Sequence, residues 1–296
     1  MLLVTGGAGF IGSNLVAALN DAGRTDVVVC DTLGSEGKWR NLAKRQLADV
    51  VPPTELDAWL KGRRLDAVLH MGAISATTVT DGDLVMERNF RSSLRLLDWC
   101  TASSTPFIYA SSAATYGDGR QGFQDDPSLA ALKALRPMNL YGWSKQLFDT
   151  AIAARAERGE ALPPQYAGLK FFNVFGPNEY HKGSMMSVLT RRFDDIKAGH
   201  TLQLFKSHRE GIADGDQRRD FIYVDDVVRA AYATLGATPR IEYIDMPEAI
   251  RGSYQYFTQA KIDRLLAAGY NGGFTPLEDA VAHYIRGYLD SADRFR

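Results

Sequence analysis

Three side chains in the middle of the sequence have the types and spacing needed to oxidise an alcohol. Tyr141 and Lys145 stand at positions i and i+4, so they share one face of a helix. Loss of hydride from an alcohol also requires loss of a proton, and Tyr141 can accept it. A nearby ammonium favours the phenolate, so Lys145 should lower the pKa of Tyr141 while also reaching the ribose of a nicotinamide. Ser112, within the hydroxyl-rich segment Tyr109–Gly117, should hydrogen-bond the reacting oxygen, whereas Ser111 satisfies the end of a strand.

A glycine-rich turn near the N-terminus has the form that binds a dinucleotide. Val4–Gly12 (VTGGAGFIG) follows an apolar segment and opens a helical one. Gly6 or Gly7 permits a tight turn, and Gly9 lets the backbone approach a pyrophosphate. Gly12 lets helix and strand pack closely, so that the phosphates lie at a helix N-terminus, where free N–H groups and the helix dipole favour negative charge.

The form of the nicotinamide cofactor depends on two residues that follow. Asp31 ends the second predicted strand, 19 residues after Gly12, where an acidic side chain binds the adenosine ribose and favours NAD. Lys38 could pair with a 2′-phosphate and so favours NADP, although a solvated loop lysine is the plainer interpretation. The residues alone leave NAD and NADP open.

The elements that must position these residues are short apolar strands that alternate with helices. Continuous apolar strands separated by helices indicate a parallel sheet covered on both faces. We therefore expect an α/β fold, with a Rossmann-type doubly wound parallel sheet over residues 1–172 and a returning segment near 220–230. Residues 173–296, where charge and irregular sequence increase, should form a smaller C-terminal α/β substrate-binding domain. The predicted strands are Leu2–Thr5, Val27–Asp31, Ala67–Ala73, Phe107–Ala113 and Leu169–Gly176, and the predicted helices are Asn14–Ala22, Asn89–Ala102 and Trp143–Arg158.

The composition argues against several other kinds of protein. The net charge is −1 and charges of both signs are mixed, which excludes a basic surface for nucleic acid or for a membrane. There is no apolar run of about 20 residues and no basic leader before the first strand, which predicts a cytoplasmic protein. Cys30 and Cys100 lie in apolar segments and are expected to be buried free thiols. The five histidines show no metal-ligand spacing, so no metal is expected.

Together, the glycine-rich turn, the segment SSAATYG and the Tyr141-x-x-x-Lys145 pair resemble the extended short-chain dehydrogenases/reductases of the NAD-dependent epimerase/dehydratase family. That group contains sugar-nucleotide epimerases, dehydratases and reductases. A closer resemblance, over nearly the whole chain, is to the family of ADP-L-glycero-D-manno-heptose 6-epimerases. It rests on the stretches TGGAGFIGSN, SSAATYG, FFNVFGPNEYHKGSM, RDFIYVDDVV and GSYQYFTQA. General 4-epimerases share the first two stretches but lack the His181–Met185 segment.

This resemblance implies epimerisation at C6″ of a nucleotide sugar. The substrate would be ADP-D-glycero-β-D-manno-heptose and the product ADP-L-glycero-β-D-manno-heptose, a precursor of the lipopolysaccharide inner core. Tightly bound NADP would take hydride from C6″, the aldehyde would rotate, and hydride would return to its other face. Because two faces need separate proton transfer, the family pattern assigns one epimer to Tyr141 and the other to Lys182. The pattern also implies a homo-oligomer, a pentamer.

Further site residues are carried over from the same resemblance, position by position. Those implied at the cofactor are Gly6, Gly9, Phe10, Ile11, Gly12, Asp31, Thr32, Lys38, Met71, Gly72, Ala73, Ile74, Ser75, Asn89, Lys145, Val174 and Lys182. Those implied at the substrate are Ser112, Asn173, Ser184, Arg191, Phe205, Arg219 and Tyr254. Arg219 suits a diphosphate because a guanidinium pairs with it bidentately, whereas Arg191 adjoins other charges and could lie on a solvated helix face. The chain departs from the family pattern at Pro53, Met71 and Arg88.

Two other functions stay open at this point. One is another NDP-sugar epimerase, such as a UDP-hexose 4-epimerase. The second is a catalytically silent dinucleotide-sensing protein on the same fold, because fold does not define function; the intact set of Ser112, Tyr141 and Lys145 disfavours it. A 4,6-dehydratase is disfavoured because it needs acidic and basic residues beside the serine, where this chain has Ala113–Thr115.

One segment of the family pattern is expected to be missing. In the pattern, the helix that begins at Tyr-Val-Asp-Asp-Val is followed by a strand, a Gly-Thr-Gly turn and a further helix. Here Phe221–Val228 runs directly into Ala-Ala-Tyr-Ala-Thr-Leu-Gly and then Ile241–Ile244. We therefore expect an interruption between Val227 and Ala233, with a single helix through this region as the alternative.

Overall fold

The structure, a computed structural model, describes residues 1–220, 222–223, 241–252, 254–270 and 274–296. The chain divides into two units, of which the first comprises Met1–Thr115, Pro127–Phe171 and Phe295–Arg296, and the second Tyr116–Asp126 and Phe172–Arg294. Residues 116–126 belong to the second unit because the rings of Tyr116 and Phe123 pack against Phe172, with centroids 6.1 and 6.2 Å away.

The first unit is built on a six-stranded sheet in the order β3-β2-β1-β4-β5-β6, with every neighbouring pair parallel. Its strands are β1 Leu2–Thr5, β2 Val27–Cys30, β3 Asp49–Val51, β4 Ala67–His70, β5 Phe107–Ser112 and β6 Tyr166–Phe171. Its helices are α1 Phe10–Asp21, α2 Leu56–Trp59, α3 Gly82–Val85, α4 Ser92–Ala102, α5 Leu129–Ala134 and α6 Leu140–Glu157, with a π-helical turn at Met86–Arg91 and 3₁₀ turns at Lys38–Leu42 and Ala113–Tyr116. Parallel strands require crossover connections, which these helices provide. The predicted α/β class and doubly wound parallel sheet are confirmed.

Side chains that alternate along β1 enter two separate apolar layers, one on each face of the sheet. Leu3 packs in one layer with Leu97 of α4 and Phe148 of α6, and Val4 packs in the other with Val16 of α1. Because both faces are covered, β1 and β2 are continuous apolar runs in the sequence. The carboxyl ends of the parallel strands lie at one edge of the sheet, where the turns that carry the predicted site residues begin.

Observed boundaries differ from the predicted ones at several ends. β4 ends at His70, so Met71–Ser75 form a loop beyond the strand, and α1 begins earlier than predicted, at Phe10. β6 spans Tyr166–Phe171 rather than 169–176. Its first four residues are exposed, unlike the covered strand that was predicted, because β6 is at the edge of the described sheet. β3 was not predicted, since three residues give no periodic signal.

The second unit combines short strands with helices around its own core. Its strands are β7 Leu202–Phe205, β8 Arg218–Arg219, β9 Ile222–Tyr223 and β10 Ile241–Ile244, and its helical segments are Tyr180–Met185, α7 Val188–Lys197, Glu248–Arg251, Asp263–Ala267, Leu277–Tyr284 and Ile285–Leu289. β7 pairs in parallel with β10, and β8 pairs antiparallel with β9. Leu189 and Phe193 of α7 pack with Leu202 and Tyr284 in the core. Among the described residues of both units, no helix has the length and hydrophobicity to cross a membrane.

Both cysteines lie in the core of the first unit. Cys30 and Cys100 are free and buried, as predicted. Burial raises the pKa of each thiol to about 12. Thiols with so high a pKa stay protonated at neutral pH and are poor nucleophiles, which makes both side chains structural.

Candidate active site

The glycine-rich turn leaves no room for a side chain at Gly6, Gly7 and Gly12. Gly6 has a φ of +63°, and a Cβ there would lie 2.7 Å from the Cα of Gly72. A Cβ on Gly12 would lie 2.1 Å from the carbonyl oxygen of Gly6, so α1 packs directly on the turn after β1. A Cβ on Gly9 would contact that oxygen at 3.1 Å and nothing else within 4 Å. Gly9 is also the N-cap of α1, so no capping side chain competes with an anion for the first N–H groups of the helix.

Asp31 holds this turn from the end of β2. Its carboxylate accepts hydrogen bonds from the N–H of Ala8 at 2.9 Å and from Lys38 Nζ at 2.6 Å. Asn41 Nδ2 donates to the carbonyl of Ala8 at 2.9 Å, so both polar backbone groups of Ala8 are satisfied. The side chain of Lys38 is 21% exposed and paired, and is therefore not a solvated loop lysine. Thr32, which follows Asp31, is exposed.

Asn89 positions the loop Met71–Ser75 from behind. Its Oδ1 accepts the N–H of Ile74 at 2.8 Å, and its Nδ2 donates to the Ile74 carbonyl at 2.9 Å and to Ser144 Oγ at 3.0 Å. The cofactor contact predicted for Asn89 stays a prediction; the side chain is fully buried and engaged in these bonds. It therefore orients the loop backbone. The π-helical turn Met86–Arg91 carries Asn89, in keeping with the frequent occurrence of such turns at functional sites.

Ser112 is the last residue of β5, and Tyr141 is near enough for the serine hydroxyl to lower its pKa. Tyr141 is the second residue of α6, whose N-cap Asn139 accepts the N–H of Gly142 at 2.8 Å. Gly142 lets α6 approach the turn after β5, because a Cβ there would lie 2.6 Å from a carbonyl oxygen of that turn. Lys145 lies one turn further along α6 and is 3% exposed. The three side chains assigned to proton transfer thus belong to one buried region of the first unit.

Burial dominates the protonation of Tyr141 and Lys145. The sequence analysis predicted a lowered pKa for Tyr141, and this is wrong. The pKa of Tyr141 is raised, because burial disfavours the phenolate and the hydrogen bond from Ser112 opposes this only in part. Burial also lowers the pKa of Lys145 to about 8, against the attraction of the Asp149 carboxylate. The prediction considered the charge of the lysine and omitted the desolvation of both groups.

A buried polar cluster next to these residues was not identified from the sequence. Asp149 lies on α6, one turn after Lys145, and is 6% exposed. Its carboxylate accepts hydrogen bonds from Tyr109 Oη at 3.0 Å, Ser111 Oγ at 2.7 Å and Lys170 Nζ at 2.6 Å. We call these four residues the Asp149 cluster. The spacing of four residues between Lys145 and Asp149 puts both on one face of a helix and could have indicated the cluster. The bounds of the strand that pairs with Ser111 were predicted as 169–176 instead of Tyr166–Phe171, so its register with β5 was not predicted.

In the second unit, Lys182 lies beside a fully buried carboxylate. Lys182 Nζ is 3.7 Å from Glu179 Oε2, and the lysine side chain is 24% exposed. Glu179 accepts hydrogen bonds from the N–H and Oγ of Ser187 at 2.8 and 2.6 Å, and from Thr190 Oγ1 at 2.5 Å. Burial lowers the pKa of Lys182, and Glu179 opposes this shift. Lys182 is therefore not a solvated loop lysine, and Glu179 is a neighbour that the sequence analysis missed.

The remaining predicted site residues have varied surroundings. Phe10 and Ile11 begin α1, Asn173 and Val174 follow β6, Phe205 ends β7, and Arg219 lies on β8. Arg191 Nη1 donates to the carbonyl of Ser184 at 3.3 Å on an exposed surface, in line with the solvated helix face that was one interpretation. The ring of Tyr254 packs edge-on against Tyr256, with centroids 5.3 Å apart.

The doubly wound sheet, the glycine-rich turn at a helix N-terminus, and the set of Ser112, Tyr141 and Lys145 define an enzyme that depends on a nicotinamide dinucleotide. The chain matches the NAD dependent epimerase/dehydratase family over residues 2–243, and it belongs to that family.

Named relatives and solved structures agree with this membership. The chain is 46% identical to an ADP-L-glycero-D-manno-heptose-6-epimerase of Nitratidesulfovibrio vulgaris (strain DP4) over 329 aligned residues, which cover 100% of both chains. It is 40% identical to the Fusobacterium nucleatum protein of the same name over 335 residues, again with 100% of both chains covered. The crystal structure of the Helicobacter pylori ADP-L-glycero-D-manno-heptose-6-epimerase has a TM-score of 0.76 and 27% identity, covering 97% of this chain and 95% of that one.

The expected missing segment falls where the structure gives no description. The stretch between Val227 and Ala233 lies outside the described residues, so the expectation of an interruption there stays a prediction. The alignments to the Nitratidesulfovibrio and Fusobacterium proteins run over 329 and 335 positions, whereas this chain has 296 residues. The relatives therefore carry positions that this chain does not.

Proposed function

We propose that this chain is an isomerase that epimerises ADP-D-glycero-β-D-manno-heptose at C6″ to ADP-L-glycero-β-D-manno-heptose. The observation that carries the proposal is the set of Ser112, Tyr141 and Lys145 at the end of β5 and the start of α6, on the fold of a dinucleotide-binding epimerase. The names of relatives that are 40–46% identical over their whole length supply the substrate class. The proposed biological role is the supply of a lipopolysaccharide inner-core precursor in the cytoplasm, by a homo-oligomer.

The residues of the first unit fit a nicotinamide dinucleotide. The uncapped N-terminus of α1 and the open side of Gly9 would hold the pyrophosphate. Asp31 would hold the adenosine ribose, as acidic residues at this position do. We propose NADP rather than NAD, because Lys38 Nζ lies 2.6 Å from Asp31 and would pair with the 2′-phosphate of a ribose held by that aspartate.

Proton transfer on one face of the sugar is assigned to the first unit. A bound nicotinamide would supply the hydride acceptor and donor for oxidation and re-reduction at C6″. Tyr141 takes the hydroxyl proton of one epimer as hydride leaves, and Ser112 donates a hydrogen bond to the same oxygen. Tyr141 takes this proton in its phenolate form and becomes neutral. Lys145, with a pKa of about 8, is still largely protonated at neutral pH and stabilises that phenolate before the proton arrives.

Proton transfer on the opposite face is assigned to Lys182. A lysine that exchanges protons near neutral pH must have a lowered pKa, and burial lowers that of Lys182. Glu179, with its buried carboxylate, keeps Lys182 from losing its proton altogether. The lowered pKa of Lys182 therefore supports its assignment to proton transfer on this face.

The proposal is tested with purified protein and two substrates. Incubation with ADP-D-glycero-β-D-manno-heptose, followed by NMR at C6″, should give the L-glycero epimer, and UDP-glucose should stay unchanged. Mass spectrometry of nucleotide released by denaturation should detect NADP. Conversion of UDP-glucose without conversion of ADP-heptose would reject the proposal in favour of a 4-epimerase. Bound nucleotide with no turnover of either would indicate a silent sensor.

A further inference from the structure

The Asp149 cluster joins three elements of the first unit at one carboxylate. Tyr109 and Ser111 belong to β5, Lys170 to β6, and Asp149 to α6. Ser111 and Lys170 are directly opposite in the register of the two strands, so the donors from β5 and β6 reach the same carboxylate.

The neighbouring backbone is arranged to permit these contacts. Gly168 of β6 is opposite Tyr109, and a Cβ there would lie 2.3 Å from the Tyr109 hydroxyl oxygen. Lys170 Nζ also donates to Thr115 Oγ1 at 3.0 Å, and that hydroxyl donates to the carbonyl of Ser112 at 2.8 Å. A chain of hydrogen bonds thus runs from Asp149 to the backbone of Ser112, while α6 carries Asp149 on the same face as Lys145.

The buried ammonium of Lys145 is more stable when a carboxylate such as that of Asp149 lies near it. Lys145 is 3% exposed, and a buried ammonium loses its proton readily unless a negative charge faces it. Asp149 is the carboxylate that attracts Lys145. Lys170 is a charged donor that hydrogen-bonds Asp149 directly, so one carboxylate faces two lysines.

We propose that Asp149 is a positioning residue for catalysis: it fixes α6 to the ends of β5 and β6, and its carboxylate holds Lys145 in the charged form. Lys170 orients Asp149 and offsets part of its charge. The proposal rests on the proposed function for its catalytic meaning, but the charge of Lys145 can be measured without a substrate.

Few titratable groups surround this pair among the described residues. They are Tyr141 on α6 itself, His70 on β4, Tyr109 on β5 and Lys170 on β6. His70 is buried, which lowers its pKa to about 3, so it stays neutral from pH 6 to 10. Tyr109 and Tyr141 have raised pKa values and are also neutral over most of that range. The charges that change the titration of Lys145 are therefore those of Asp149 and Lys170.

The test compares the cofactor-loaded wild type with the Asp149→Asn and Lys170→Met variants. The ¹⁵N shift of Lys145 Nζ is followed against pH in lysine-labelled protein and is assigned with Lys145→Met. Asp149→Asn removes the anion, so the titration midpoint should fall by about one unit or more, a roughly tenfold change in acidity. Lys170→Met removes a competing cation, so its midpoint should rise or stay in place. Tyr109→Phe, which removes a hydrogen bond but no charge, should leave the midpoint unchanged.

Two results would overturn the proposal. One is a folded Asp149→Asn variant with the wild-type midpoint. The other is an equal fall in Lys170→Met, which would show that lost packing rather than lost charge is responsible. If Asp149→Asn does not fold, the double variant Asp149→Asn/Lys170→Met is compared with Lys170→Met, from which it differs only in the carboxylate. Its midpoint should lie below that of Lys170→Met, and equal midpoints reject the proposal.

Activity provides the second readout. The alkaline limb of kcat/KM for ADP-D-glycero-β-D-manno-heptose should move to lower pH in Asp149→Asn in parallel with the Lys145 midpoint. If the wild type does not turn over this substrate, the proposed function fails, while the NMR titration still decides the role of Asp149. If the wild type is active and the limb stays in place in Asp149→Asn, the role of Asp149 is rejected and the proposed function stands.

Discussion

Burial decides how Tyr141 and Lys145 hold their protons, since Lys145 has almost no contact with water and Tyr141 is partly buried. Loss of solvent disfavours both the phenolate and the ammonium, so the pKa of Tyr141 rises while that of Lys145 falls to about 8, and the two values move apart. A proton donor and acceptor work best when their pKa values lie near the working pH. Burial therefore tunes Lys145 toward catalysis, whereas Tyr141 depends on its hydrogen bond with Ser112 and on the ligands it meets.

Tyr141→Phe should lower epimerisation by at least about 100-fold, the usual effect of removing a positioned acid/base. The ring still fills its buried place, so folding and the amount of bound nucleotide should match the wild type. Turnover and released nucleotide are measured in parallel. Tyr166→Phe, at an exposed tyrosine of β6, is the control and should be fully active. Wild-type turnover in Tyr141→Phe would contradict the mechanism.

Lys182→Met should block the proton transfer assigned to the second face of the sugar. Mixed with the epimer that Tyr141 serves, the variant should still reduce its cofactor, which is visible as nicotinamide absorbance. Mixed with the other epimer, it should not, and complete epimerisation should fall by about 100-fold or more. Lys61→Met, at an exposed lysine, is the control. Equal cofactor reduction by both epimers would refute the assignment of Lys182.

Short-range sterics decide which elements can carry the site. The glycine-rich turn and the start of α6 both bring a helix against the end of a strand, and each uses a glycine where a Cβ would meet backbone. Such glycines are required by the packing of the elements, independently of any ligand. A substitution at one of these glycines therefore tests how the helix packs on the strand and not the chemistry of the site.

Gly12→Ala should destabilise the protein by about 1–3 kcal/mol, the usual cost of overpacking, and should weaken nucleotide retention. The reason is the 2.1 Å distance from the new Cβ to the Gly6 carbonyl oxygen. Denaturant unfolding and bound nucleotide are the measurements. Gly82→Ala in α3 is the matched control, since a Cβ there meets nothing within 4 Å. Its stability should equal or slightly exceed that of the wild type. Equal losses in both variants would show that the close contact is not the cause.

The site residues are divided between two units, each with its own core. The glycine-rich turn, Asp31, Lys38, Ser112, Tyr141 and Lys145 belong to the first unit, and Lys182 belongs to the second. A ligand of the first unit alone, the dinucleotide, should nevertheless stabilise the folded molecule by mass action.

NADP should raise the unfolding temperature of nucleotide-free protein more than NAD does at the same concentration. At about 100 times its Kd a ligand adds about 2.7 kcal/mol, and the proposed 2′-phosphate contact of Lys38 lowers the Kd of NADP. Lys38→Ala should remove the difference between the two cofactors. Lys61→Ala, at an exposed lysine, should keep it. Equal losses for NAD and NADP in Lys38→Ala would refute the phosphate contact.

The sequence by itself determined the fold class, the glycine-rich turn and the Ser112, Tyr141 and Lys145 set. These features are local: glycine sterics, apolar periodicity and a spacing of four residues are legible without knowledge of distant contacts. They led to the correct family and to a sheet with the correct central strands.

Only the tertiary structure decided the surroundings of those residues. Asp149 meets Ser111 across 38 positions of sequence and Lys170 across 21. The pairing of Lys38 with Asp31, the buried role of Asn89 and the Glu179 carboxylate beside Lys182 likewise depend on how elements pack. The direction of the Tyr141 pKa shift was predicted wrongly for the same reason, because desolvation is a property of the packed molecule and has no counterpart in the spacing of residues along the chain.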